Sequence, residues 1–190
     1  MAAKHRLLIL ADEIYYDMAF EECLCHMAVK MNEEVPVLMI GGMAKRFMVP
    51  GWRVGWMVVF DRNNILKSAG LLDILGMLTL SIGSACTVLQ HALVSGLEET
   101  PQQYHKYNID TLHTSAKLLY DKLSQVEGLC PVVPQGAMYI MVGIEISKFK
   151  DITDDQDFTK KLLAEQAVGV LPGQASASGC IEMCISYIEQ

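Results

Sequence analysis

The sequence has 190 residues, enough for one domain or an unequal pair. Its formal charge of −7 leaves no basic stripe to neutralise phosphates, which argues against a nucleic-acid partner and against an anionic membrane surface. At 52% hydrophobic residues it can fill a packed core.

Met1 to Arg6 reads as the tail of a helix and lacks the apolar stretch of a secretory signal. Leu7 to Ala11 is a short apolar run, and Val35 to Ile40 is a second. Runs of this length, bounded by turn residues and separated by a helix-sized insert, predict buried parallel strands. The insert, Asp17 to Glu34, is mixed, with Met18, Phe20, Leu24 and Met27 suggesting a helix or a partly ordered loop. After Gly41-Gly42 the backbone can turn sharply. Pro50-Gly51 is a further turn signal, and Trp52 to Phe60 predicts a third strand closed by Asp61-Arg62-Asn63-Asn64.

A helical region follows. Ile74 to Leu97 carries no charged residue and is long enough to cross a bilayer. Its Gly76, Gly83, Ser81, Ser84, Thr87, Gln90 and His91 favour a loop and a buried helix of a soluble core instead. Thr100-Pro101 starts a helix, with a capping hydroxyl and then proline at the first position. Leu112, Ala116, Leu119, Leu123 and Val126 recur at helical spacing until Gly128. Short strands are predicted at Leu129 to Val133 and Ala137 to Ile144. A capping box at Thr153-Asp154-Asp155-Gln156 opens a helix with Phe158, Leu162 and Leu163 on its inner side. Val168 to Leu171 and Ile181 to Ile188 predict two more strands.

Six cysteines, Cys23, Cys25, Cys86, Cys130, Cys180 and Cys184, contain no CxxC pair. Reduced thiols of a cytoplasmic protein are the expected state, not a metal site. The twelve methionines read as core gap-fillers, and Trp52 and Trp56 as packing residues. The histidines, His105 among them, show no partner.

The chemistry concentrates between Leu7 and Trp56. Ligands of parallel sheets bind beyond the strand carboxyl ends, and Asp12, Tyr15, Lys45 and Arg53 fall there. By composition alone Lys45 would be a surface charge. In an apolar pocket beside a cation such as Arg53 its amine would become nucleophilic and able to form Schiff bases with carbonyl compounds, pyridoxal phosphate above all. That cofactor needs a carboxylate at its ring nitrogen, a donor at its phenolic oxygen and positive charge at its phosphate. Asp12, Tyr15 and Arg53 supply one of each.

Three segments carry a resemblance: Leu10-Ala11-Asp12-Glu13-Ile14-Tyr15, Gly42-Met43-Ala44-Lys45-Arg46 and Val49-Pro50-Gly51-Trp52-Arg53-Val54-Gly55-Trp56. Pro134-Gln135-Gly136-Ala137-Met138-Tyr139 and Leu163-Ala164-Glu165-Gln166 extend it. The chain resembles the class I pyridoxal-phosphate-dependent aminotransferases, in particular their tyrosine-specific branch, over the C-terminal portion of that family. The resemblance implies an α/β fold: part of the type I transferase sheet in residues 1–100, an interdomain helix in 101–127 and a truncated small α+β domain in 128–190. It implies that Lys45 binds pyridoxal 5′-phosphate covalently and shuttles a proton. Asp12 would pair with the ring nitrogen, Tyr15 with the phenolic oxygen and Arg53 with the phosphate. The implied reaction moves an amino group from an aromatic amino acid to a 2-oxo acid such as 2-oxoglutarate, in a homodimer or paired with a full-length relative.

Two departures stand beside it. The family carries more sequence before the matching part, with further strands and cofactor contacts. Its arginine for the substrate carboxylate has Glu182 in the colinear position, and no arginine occurs after Arg62. The alternative expectation is an inactive fragment or pseudoenzyme without the full substrate site.

Overall fold

A computed structural model describes residues 1–20, 23–31, 34–173 and, as backbone, 182–186. The chain divides into two compact units, Met1–Lys106 and Tyr107–Gln190.

In the first unit the single turn α1 (Ala2–His5) stops where Arg6 turns left-handed, at φ 52°. The apolar runs then become strands. β1 (Ile9–Asp12) pairs in parallel with β2 (Val37–Gly42), with Ile9 opposite Val37 and Asp12 opposite Ile40. Between them lie a 3-10 turn, Tyr16–Met18, and the one-turn helix α2 (Ala28–Met31). Glu13 Oε1 accepts from the Ala28 amide at 2.7 Å and ties α2 back to the end of β1. After β2 comes the turn α3 (Met43–Arg46). A 3-10 turn, Pro50–Trp52, and a left-handed Arg53 delay the third strand, so β3 spans Gly55–Phe60 instead of starting at Trp52. β3 runs antiparallel to β2, giving the order β1-β2-β3.

Burial corrects the reading of the first run. Val37 and Leu38 of β2 are buried, whereas Leu7, Leu8 and Leu10 are exposed, Leu10 by 63%. β2 is the central strand. β1 is an edge, and only its Ala11 is buried.

The uncharged stretch is corrected too. It forms α5 (Leu71–Ile82) and α6 (Thr87–Glu99), after the short α4 (Ile65–Ser68). Neither α5 nor α6 has a buried residue, and Leu80 and Ile82 are more than 80% exposed. Among the described residues no single helix is long and apolar enough to cross a membrane. The methionines divide likewise: Met18, Met43 and Met138 are buried, but Met57 and Met77 are exposed.

The helix started by Thr100-Pro101 is α7 (Gln102–Leu123), with Leu112 and Ala116 buried. In the second unit β4 (Leu129–Pro131) and β5 (Tyr139–Ile144) pair antiparallel. Gly128 turns the chain into β4 at φ 89°, where a Cβ would also lie 2.8 Å from the Phe149 ring. Alternate β5 residues, Ile140, Val142 and Ile144, are buried, the period-two pattern of a strand covered on one face.

Helix α8 (Asp155–Gln166) is capped one residue later than the box predicted. Asp154 Oδ1 accepts from the Asp157 amide at 2.8 Å, and Asp157 Oδ2 accepts from the Thr153 amide at 3.1 Å. Aspartate accepts as readily as threonine at this position, and Asp157 also pairs with Lys161, one turn on, at 2.9 Å. The Lys161 ammonium, then the Thr153 amide, hold the Asp157 carboxyl below its ordinary range. β6 (Leu171–Pro172) and β7 (Glu182–Ser186) complete a sheet of order β4-β5-β7-β6. Ile181, Tyr187 and Ile188 of the predicted last strand lie outside the described residues, as does Cys180.

Candidate functional site

The sheet order brings the sequence-predicted residues to one end of the first sheet. Asp12 is the last residue of β1, and Gly42 the last of β2. Because β3 is antiparallel, its first residue, Gly55, lies opposite Gly42. Asp12, Tyr15, Lys45 and Arg53 therefore all follow or precede strand ends at the same edge.

Asp12 is exposed, and its Oδ1 accepts from the Ile14 amide at 3.3 Å, a local turn that steers the chain out of the strand. Tyr15 then opens the 3-10 turn, held by the Met18 amide donating to the Tyr15 carbonyl at 2.9 Å. Buried Met18 and Phe20 anchor this segment. Lys45 and Tyr15 are both half-buried, and the Lys45 Nζ sits 5.6 Å from the centroid of the Tyr15 ring. An ammonium over a phenol face at that distance is attracted by the ring quadrupole. Arg53 is exposed at φ 52°, and its Nη1 donates to the Pro50 carbonyl at 3.3 Å.

The space around the lysine-bearing turn is set by glycine. A Cβ on Gly42 would lie 3.1 Å from the Val54 carbonyl and 3.2 Å from Ile14 Cδ1. Gly42 thus lets the end of β2 approach Val54, whose carbonyl accepts from the Met43 amide at 3.2 Å. At Gly41 the indole of Trp56 fills the place a side chain would take. Trp56 is a packing residue, as expected, while Trp52 lies exposed in its 3-10 turn.

Several residues here escaped the sequence. Arg46 Nη1 pairs with Asp17 Oδ2 at 2.7 Å. The Tyr104 hydroxyl donates to the Phe47 carbonyl at 2.9 Å. His105 packs edge-on against Phe47, with ring centroids 5.2 Å apart, and so does have partners. Burial, then the Arg46 charge, push its imidazole below the ordinary 6.5, although a hydrogen bond to the Arg46 backbone works the other way. The sequence signal for Tyr104 and His105 was their place in the first turn after Thr100-Pro101.

Glu182 begins β7 with its backbone opposite Gly143 of β5. Its side chain lies outside the described residues.

The fold is similar to that of solved aminotransferases. The chain is 44% identical to tyrosine aminotransferase of Mus musculus over 172 residues, 90% of this chain and 38% of that protein. Its structure superposes on tyrosine aminotransferase of Leishmania infantum with a TM-score of 0.87 at 27% identity, covering 98% of this chain and 45% of that one. Alanine aminotransferase of Pyrococcus furiosus gives the same TM-score at 25% identity, with 98% and 46% covered. The chain thus spans less than half the length of the relatives it matches. The family model described as aminotransferase class I and II aligns with residues 1–186, nearly the whole chain, and the chain therefore belongs to that family.

Proposed function

We propose that this chain binds pyridoxal 5′-phosphate and contributes to transfer of an amino group from an aromatic amino acid, tyrosine foremost, to a 2-oxo acid such as 2-oxoglutarate. The observation that carries the reading is the meeting of Lys45 with Tyr15, 5.6 Å from amine to ring centroid, at the sheet end that also carries Asp12. The donor set matches the group's needs in kind: one carboxylate, one phenol, one amine and one guanidinium belong to residues at one end of the sheet. The cofactor, when bound, supplies the electron sink that makes a substrate Cα proton removable.

The chain's own residues do the rest. Asp12, as an anion, would hold a proton on the ring nitrogen. Tyr15 would donate to the phenolic oxygen. Arg53 would neutralise phosphate charge from its exposed place before β3. Lys45 would hold the aldehyde carbon and, once displaced by substrate, carry a proton at its Nζ. Residues 1–100 would be part of the cofactor-binding domain, 101–127 the interdomain helix and 128–190 the small domain. The cytoplasmic placement read from the thiols belongs to the same proposal.

A second reading rests on one observation: Glu182 stands where the family resemblance expects a carboxylate-binding arginine. On this reading the chain is an inactive fragment or pseudoenzyme. It would pair with a second copy or a full-length relative, and the exposed apolar residues of β1, α5 and α6 support such pairing.

Spectroscopic titration of the purified chain with pyridoxal 5′-phosphate, followed by a tyrosine and 2-oxoglutarate assay, separates the readings. Binding with turnover that Lys45→Ala abolishes supports the enzyme. Binding without turnover supports the pseudoenzyme. Absorbance changes unaltered by Lys45→Ala would refute the assignment of the amine.

A further inference from the structure

Lys45 sits on a turn that cannot hold itself. α3 has four residues, and a helix that short is unstable on its own hydrogen bonds. Every helix also leaves its last carbonyls without intrahelical donors. Here the Phe47 carbonyl, at the end of the lysine-bearing turn, is satisfied from the first turn of α7. The Tyr104 hydroxyl donates to it at 2.9 Å.

The Tyr104 and His105 rings brace each other edge-on, centroids 5.5 Å apart, and His105 meets the Phe47 ring in the same way at 5.2 Å. Asp17 holds the Arg46 guanidinium at 2.7 Å. Met43 and Phe47, one on either side of Lys45 in sequence, are buried. The turn is pinned at its backbone, its flanking side chains and its last charge.

We propose that Tyr104 and His105 are positioning residues for Lys45: Tyr104 takes the carbonyl of Phe47 that closes its turn, His105 braces the Phe47 and Tyr104 rings, and together they fix the direction in which the amine projects. The inference rests on the cofactor reading of Lys45 and adds the start of α7 to that site. Both residues act through Phe47, two positions from the lysine. A displaced amine of even about 1 Å can cost a hundredfold in a reaction needing a set approach.

Tyr104→Phe removes one hydroxyl and keeps the ring. His105→Ala removes the ring that braces Phe47 and Tyr104. Each variant of the full chain is treated with limiting pyridoxal 5′-phosphate, reduced with borohydride and mapped by peptide mass spectrometry. Tyr107→Phe, on the exposed face of the same helix, is the control. The expected result is selective labelling of Lys45 in the parent and the control. Each variant should lose about fivefold of the Lys45 label relative to the other lysines, with circular dichroism unchanged. Selective labelling that persists undiminished in both variants would overturn the positioning role and leave the cofactor reading standing. Loss of label at all lysines together, or of the dichroism signal, would assign the residues to the fold alone and overturn it as well. No selective labelling in the parent would remove the cofactor reading, and this inference with it.

Discussion

Strands β1 and β5 have similar apolar content and opposite fates. Leu7 to Ala11, which leads into and fills most of β1, is an unbroken apolar run, yet Leu7, Leu8 and Leu10 are exposed. β5 alternates, and its Ile140 is 1% exposed. An apolar residue gains burial only if the chain also supplies the layer that covers it. Among the described residues β5 lies between β4 and β7 in its sheet, while β1 is an edge strand paired with β2 alone. Exposed apolar edges of this kind invite association. The relatives matched by this chain are more than twice its length, and the uncovered strand and helices lie in its first unit.

That contrast can be broken most directly by truncating one side chain from each strand. Ile140→Ala should cost about 2–5 kcal/mol in urea unfolding, whereas Leu10→Ala should change stability by no more than about 0.5 kcal/mol. Equal losses would erase the distinction. Gly42→Ala tests the covered strand at the site end. The added Cβ meets the Val54 carbonyl at 3.1 Å, so a cost of about 1–3 kcal/mol is expected, together with weaker cofactor binding. Asp154→Ala removes the cap of α8 and should cost about 1 kcal/mol, with Asp154→Ser restoring most of it.

The smallest effect concerns pH. The folded state holds the His105 imidazole below its unfolded value of 6.5, so it favours the neutral ring. Its contribution to stability is therefore complete above about pH 6.5 and is lost as the pH falls through the lower folded value. The urea midpoint should decline from about pH 7 towards pH 5, and His105→Phe should flatten that decline. An unchanged slope in the variant would place the titrating group elsewhere.

Much of this architecture was legible in the residues. The parallel pair, the helix after Thr100-Pro101 and the alternation in β5 all follow from local pattern. So did the cluster of Asp12, Tyr15, Lys45 and Arg53 at one sheet end, because strand direction and turn signals decide which end each residue occupies. Burial was not legible at β1, α5 and α6, since it depends on what lies across from an element. The cap of α8 slipped by one residue because Thr153 and Asp154 are both competent caps, and the choice is settled by which carboxylate reaches back. Tyr104 and His105 escaped for a related reason: the hydrogen bond to Phe47 joins residues 57 positions apart, and no local pattern marks it.

The claim on which the rest depends is that one small ring can reach both Lys45 and Asp12. Crystals of the chain grown with pyridoxal 5′-phosphate measure this directly. The expected density is continuous from the Lys45 Nζ into the ring, with the Asp12 carboxylate at the ring nitrogen. Cofactor density at a surface lysine elsewhere, with Lys45 and Asp12 too far apart for a single ring to span, would contradict the account.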